Sequence, residues 1–184
     1  MRRWALAAGL LVAALAAAYA LLLRGSTVEP RLTVLLPTSV IGSGEEAVGV
    51  AADGTLLAWQ PPPADGSLPS LPLSEPPKGG RLAGPALEQA RVLGSAPPPL
   101  RPCIESSYYG ESGVDVVLRS GIELRFGNAS MAPRKWSAAS TVLADPSITA
   151  LDYVDLSSPG RPAYAGSGHT LPPASQGSAG GCGE

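Results

Sequence analysis

The sequence predicts an α+β protein: a single N-terminal transmembrane helix followed by a small extracytoplasmic domain with an antiparallel sheet and two helices. Residues 4–23 form an apolar run without a charged residue. Residues 114–126 alternate apolar and polar side chains around Gly121, which is typical of two strands joined by a tight turn. Two further stretches begin at Pro85 and Pro133 and carry apolar residues at helical spacing.

The run at residues 4–23 is long enough to cross a bilayer. At a rise of about 1.5 Å per residue, a helix of this length covers about 30 Å, the thickness of the hydrocarbon core. Arginines within residues 1–3 precede it and only Arg24 follows closely, so the N-terminus is predicted to be cytoplasmic. Residues 18–20 also fit a signal-peptidase site, and cleavage is the competing interpretation. Both interpretations export the rest of the chain.

The composition restricts the size of the folded part and the classes of partner. The chain has 184 residues, of which 22 are glycine, 20 are proline and only 15% are charged. Such a composition predicts a small core with long irregular connections. The net charge of −2 lacks the basic excess that nucleic-acid binding needs, so no nucleic acid is expected as a partner.

The region after the apolar run predicts short strands and proline-rich connections. Residues 31–36 are rich in β-forming residues and end at Pro37. Asp53-Gly54 lies between two apolar runs and predicts a hairpin turn. The many prolines of residues 60–80 predict an extended connection. Gly94 is placed to end the helix that starts at Pro85.

The second half predicts the sheet and its second helix. Residues 103–109 favour a strand, and the hairpin that follows should bury its apolar face and expose Asp115 and the other charges. Arg134 and Lys135 lie in the first turn of the second helix, where they oppose the helix dipole; a solvent-facing position is the favoured interpretation, and contact with an acidic group of a partner is the alternative. Residues 148–156 return as a strand, followed by a short extended piece at 161–165.

No catalytic, cofactor or metal site is apparent, so the protein is not predicted to be an enzyme. His169 is the only histidine, in a region without a pattern, and one histidine cannot build a zinc site. The odd spacing of Asp152 and Asp155 puts them on opposite faces of a strand, which disfavours paired acid–base chemistry. Cys103 and Cys182 show neither metal-ligand nor redox spacing; a disulfide is one interpretation and unpaired thiols are the favoured one.

The order of these motifs resembles the C-terminal β domain of the FtsQ/DivIB family of bacterial cell-division proteins. The residues that carry the resemblance are, in chain order, Val116–Leu118, Gly121, Phe126-Gly127, Lys135, Val154–Leu156 and Pro159. Upstream, residues 50–57 resemble the strand–Asp-Gly–strand element of the family. The POTRA domain that the family places after the membrane is nearly absent. Residues 25–46 are predicted to form a linker with at most a remnant strand.

The resemblance implies an FtsQ-like β domain at residues 47–165 with proline-rich insertions, and a disordered tail at 166–184. It implies a divisome scaffold for septation, anchored in the lipid bilayer of the cell inner membrane through residues 4–23. FtsB/FtsL-type partners would then pair with an exposed edge of the sheet by β-augmentation. The residues expected at or beside this edge are Ile148, Ala150, Asp152, Tyr153, Val154, Asp155, Leu156, Arg161 and Tyr164. The competing interpretation is a membrane-anchored extracytoplasmic binding module without a division role.

Overall fold

Two sheets and two helices make up the part of the chain that the computed structural model describes, residues 34–63, 66–73 and 75–171. The smaller sheet has the order β1-β2-β3, with all neighbours antiparallel. Its strands are β1 (Pro37–Ile41), β2 (Val48–Ala51) and β3 (Leu56–Leu57). The Asp53-Gly54 turn joins β2 and β3, which confirms the hairpin predicted there.

The larger sheet follows the first helix, α1 (Gly84–Gly94), and has the order β4-β5-β6-β7-β8. The second helix, α2 (Ala132–Leu143), connects β6 to β7. The five strands are β4 (Ile104–Gly110), β5 (Gly113–Leu118), β6 (Glu123–Gly127), β7 (Ala150–Asp155) and β8 (Ala163–Thr170). The order follows the chain, so each strand lies beside its sequence neighbour.

The prediction of one antiparallel sheet is wrong in two respects. The strands are divided between two sheets, and β6 and β7 are parallel. The cause is α2, because a helical connection carries the chain back to the end of the sheet where β6 began, so β7 runs in the same direction. Alternation along a strand indicates which face is buried but does not indicate the direction of the neighbouring strand.

The predicted transmembrane helix at residues 4–23 lies outside the described residues, as does the cytoplasmic segment 1–3. Among the residues that the structure describes, no helix combines the length and apolar character needed to cross a membrane.

Two strand boundaries differ from the predicted ones. A strand was expected to stop at Pro37, but β1 begins there, because a proline at the first position of a strand removes no required ladder donor. β1 pairs with β2, so the segment predicted as a linker, residues 25–46, contains a strand of the smaller sheet. At the other end, β8 continues to Thr170 although disorder was predicted from Gly166. Pairing with the backbone of β7 orders this Gly-rich segment.

Trp136 connects three elements of the core. Its ring is fully buried and its centroid lies 4.8 Å from that of Phe126 on β6. Its indole Nε1 donates a hydrogen bond of 2.8 Å to the carbonyl of Val92 on α1. The apolar stripe predicted for α2 is confirmed, since Ala139 and Val142 are buried on the same face. α1 contacts strands of both sheets, so this cluster joins the two sheets into one core.

Gly94 does more than end α1. It is the last helical residue, and a Cβ at this position would overlap the Cβ of Ala52 and lie 2.6 Å from its Cα. The absence of a side chain therefore allows the end of α1 to approach the chain that leaves β2.

Replacing Gly94 with alanine is expected to lower the free energy of unfolding by about 1–3 kcal/mol, because the new methyl group overpacks the contact with Ala52. A loss of stability would point to the steric overlap, because intrinsic helix propensity alone favours alanine over glycine. Urea denaturation measures the effect. Gly79→Ala is the matched control, because a Cβ there meets no atom within 4 Å. A Gly94→Ala variant as stable as the parent would contradict the close approach.

Candidate partner-binding edge

β8 forms one edge of the larger sheet. Among the strands that the structure describes, it pairs only with β7. Every residue of β8 is exposed except His169, which is partly buried. The strand contains no Asp, Glu, Lys or Arg, and most of its side chains are small. Long uncharged edges of this kind leave backbone N–H and C=O groups accessible to another chain, and natural proteins protect them unless they are used.

Asp152 holds the irregular half of β8 in place. The register between β7 and β8 shifts between Leu151 and Tyr153, and Gly166 adopts a φ of +100°. The Asp152 carboxylate occupies the space where side chains at Gly166 and Gly168 would lie. Its Oδ1 accepts a hydrogen bond of 2.7 Å from the backbone N–H of Gly168. Asp152 therefore has a structural role at the edge.

Most residues predicted to bind a partner lie in β7, which is an interior strand. β6 and β8 pair with its two sides, so both rows of its backbone groups face other strands of the protein. Val154 is fully buried, as is Leu156 directly after the strand. Ile148 and Ala150 are partly buried at its beginning. β7 therefore neighbours the edge without forming it.

The remaining residues predicted to bind a partner differ in their contacts and exposure. The guanidinium carbon of Arg125 lies 4.0 Å from the ring centroid of Tyr153. Asp155 accepts a 2.8 Å hydrogen bond from the backbone N–H of Ser157, and this bond lowers the pKa of its carboxyl. Arg161 is exposed just before β8, and Tyr164 is 48% exposed within it. These last two are the predicted residues at the edge itself.

The opposite edge, β4, is less suited to accept a strand. It carries a charged residue, Glu105, and its Ser107 hydroxyl donates a buried hydrogen bond of 3.0 Å to Gln89 on α1. A charged side chain is a feature that protects an edge from pairing, and β8 has none.

Lys135 is buried, so the expectation that it faces solvent is wrong. Only 1% of the residue is accessible, and its Nζ donates to the carbonyls of Phe126 at 2.7 Å and Asn128 at 2.9 Å. Burial lowers the pKa of its ammonium group, an effect that Asp155 and Glu88 oppose. The side chain fastens the connection between β6 and α2, which sets the course of the chain toward β7 and β8. Because Lys135 lies in the first turn of α2, its side chain can reach back to these carbonyls. An argument from the helix dipole alone does not take such contacts into account.

The described residues that were considered as catalytic or metal-binding groups are held in contacts within the fold. His169 lies in β8, and its ring packs where a side chain at Gly121 would be. Cys103 is disulfide-bonded, so the favoured interpretation of unpaired thiols is wrong. Cys182, the other cysteine of the chain, lies outside the described residues. Within the described residues, no group of three or more His, Cys, Asp or Glu side chains could hold a metal ion.

An apolar pocket of about 360 Å³ lies at one end of the larger sheet. The end of α2, the turn between β5 and β6, and the connection before β4 line it. Its apolar walls include Leu100, Leu118, Ile122, Leu143 and Leu171. The pocket shares no residue with β8, so it is a separate feature.

The fold and the edge define a class of protein: an α+β domain whose strand β8 has no neighbour on its outer side among the described strands, an arrangement suited to binding an extended polypeptide. No family model matches the chain, and no curated protein matches it.

Proposed function

We propose that this protein is a non-enzymatic scaffold of bacterial cell division, which binds a segment of an FtsB/FtsL-type partner along the free edge of β8. The order of motifs that resembles the FtsQ/DivIB family supports the division role. The single observation that carries the binding mode is the exposed and uncharged β8. The proposal includes residues 4–23 as the anchor in the plasma membrane, an extracytoplasmic C-terminal domain and accumulation at the septum.

The physical basis is strand addition. A partner segment that lies along β8 makes backbone hydrogen bonds that depend little on sequence, and the side chains beside the edge provide selectivity. Tyr164 is the large exposed side chain among the small residues of β8 and is suited to anchor an apolar residue of the partner. Arg161, just before the strand, adds a positive charge at one end of the edge.

A pair of proline substitutions tests strand addition. Consecutive residues of an edge strand direct their N–H groups alternately toward the sheet and away from it. One of the variants Tyr164→Pro and Ala165→Pro therefore removes an outward N–H, and the other removes an N–H that faces β7. We expect the variant that retains parental stability in urea denaturation to lose at least about tenfold in partner affinity.

Two controls accompany this experiment. Trp59→Ala changes a 73% exposed aromatic residue outside the larger sheet and should leave affinity unchanged. Circular dichroism and denaturation identify the proline variant that is folded. Full partner binding by the proline variant that retains parental stability would refute docking on β8.

The division role has its own test. A fluorescent protein fused to the N-terminus should accumulate at the septum, and depletion of the protein should produce filamentous cells. Diffuse envelope fluorescence together with normal division on depletion would refute this role, whatever the result at β8.

The apolar pocket supports a second candidate function, an extracytoplasmic binding module without a division role. Its volume of about 360 Å³ and its leucine-rich walls suit an aliphatic ligand. An aliphatic compound that copurifies with the protein, together with normal division after depletion, would favour this function over the first.

A further inference from the structure

The described part of the chain ends at the wall of the apolar pocket. Leu171 is the last described residue, and its side chain lines the pocket. Its backbone N–H donates a hydrogen bond of 2.9 Å to the carbonyl of Thr149, and its side chain packs against the core. Residues 172–184 therefore begin from a fixed point beside the pocket.

Cys103 lines the same pocket and is held in place by the fold. Its backbone N–H donates to the carbonyl of Leu100 at 3.0 Å, and its carbonyl accepts from the N–H of Arg119 at 2.8 Å. Cys103 is 7% exposed and disulfide-bonded. The sequence contains two cysteines, so Cys182 is the partner that the chain itself supplies.

This bond returns the chain to the pocket from which it departs. A disulfide keeps the Cα atoms of its two residues within about 7 Å of each other. Residues 172–181 then connect two points on one pocket wall, Leu171 and Cys103. Ten residues can extend over about 35 Å, which is far more than the width of a pocket of about 360 Å³. The segment is therefore long enough to pass across the opening.

The composition of residues 172–181 suits an apolar surface. They read PPASQGSAGG and contain no charged side chain. Proline has no backbone N–H, so Pro172 and Pro173 can lie on apolar walls without leaving a donor unpaired. Glu184 is the only charged side chain after Leu171, and it follows Cys182. The charge of the tail thus lies beyond the segment that the disulfide would close.

We infer that a disulfide between Cys103 and Cys182 holds residues 172–181 across the opening of the apolar pocket, with the two prolines on its leucine walls. Burial of apolar surface on both sides favours this contact. The cover needs neither docking at β8 nor the division role. An aliphatic ligand of the second candidate function would have to displace it.

Reduction of the disulfide releases the cover. A dithiol reductant supplies two electrons and two protons, the S–S bond breaks, and thiols form at Cys103 and Cys182. The reductant leaves as its own disulfide. Access to the pocket therefore depends on the redox state of this bond.

Mass spectrometry of the full chain, digested under non-reducing conditions, tests the covalent part. We expect the peptides that contain Cys103 and Cys182 to be linked to each other within a monomer. Free thiols at both positions in protein purified without a reductant would overturn the inference, as would a link from Cys103 to a second copy of the chain.

Hydroxyl-radical footprinting of the full chain tests the cover. Leu100 and Leu143 line the pocket, and we expect their oxidation to rise several-fold after reduction and alkylation of the thiols. Cys182→Ser should give the same increase. Leu36, which is 62% exposed and does not line the pocket, should be oxidised equally in all samples.

Reduction also removes a cross-link from the fold, so a charge variant separates the cover from the cross-link. Pro173→Asp retains both cysteines but places a charge against apolar walls, and it should increase oxidation of Leu100 and Leu143 as reduction does. Gly183→Asp adds the same charge beyond Cys182 and should leave both leucines at the parental level. Non-reducing digestion verifies the disulfide in each variant. Parental oxidation of both leucines in Pro173→Asp, or in the reduced protein, would refute the cover.

Discussion

Replacing Lys135 with methionine is expected to lower the free energy of unfolding by about 3 kcal/mol. Methionine retains most of the buried length but donates no hydrogen bond, so the carbonyls of Phe126 and Asn128 lose the donor that satisfies them. Each buried polar group left without a partner costs about 1–3 kcal/mol. Chemical denaturation monitored by tryptophan fluorescence measures the loss.

Arg134→Met is the matched control, because the preceding residue is exposed and equally basic. We expect it to change stability by less than about 0.5 kcal/mol. Similar losses for both variants would show that charge in the first turn matters and that the buried hydrogen bonds of Lys135 do not.

Replacing Trp136 with alanine is expected to lower the free energy of unfolding by about 3–5 kcal/mol, the range for truncation of a large buried aromatic residue. The substitution removes the ring that packs on Phe126 and the donor to the Val92 carbonyl. Trp136→Phe retains an aromatic ring but loses the donor, and we expect a smaller loss of about 1–3 kcal/mol.

Trp59→Ala provides the comparison for Trp136, since the Trp59 side chain is largely in solvent. Its effect on stability should stay within about 0.5 kcal/mol. A Trp136→Ala variant that unfolds at the parental denaturant concentration would contradict the view that this residue joins α1, α2 and β6.

Both substitutions affect the crossover that leads to the candidate edge. Lys135 fastens the chain between β6 and α2, and Trp136 packs α2 against the sheet. β7 is placed by this crossover, and β8 is placed by pairing with β7. Partial loss of partner affinity in a folded Trp136→Phe variant would therefore reflect a displaced edge, a different cause from the loss expected for prolines in β8.

Local patterns predicted the elements well. Alternation in residues 114–126 located β5 and β6. The N–H of Leu118 donates to the carbonyl of Ile122, which leaves three residues in the turn between them. Apolar spacing after Pro85 and Pro133 located both helices. These features depend on residues within a few positions of one another, so the sequence alone carries the information.

The candidate edge was predicted only in part. The sequence pointed to the last strands of the sheet, but it assigned most binding residues to β7, which pairs on both sides. The extended piece predicted from the sequence ends at residue 165, because the glycines and the serine that follow show no apolar periodicity. Its order comes from the backbone of β7, and side-chain patterns do not report backbone pairing.

What the sequence by itself determined is the Asp53-Gly54 hairpin, the strands β5 and β6, and the two helices with their apolar faces. Only the tertiary structure decided that β6 and β7 run parallel, that β8 is an edge among the described strands, and that Asp115 and Lys135 are buried. Lys135 finds its acceptors in the carbonyls of a folded loop, and Asp115 is covered by side chains from neighbouring strands. Contacts of this kind join residues that are brought together only by folding, so no local pattern encodes them.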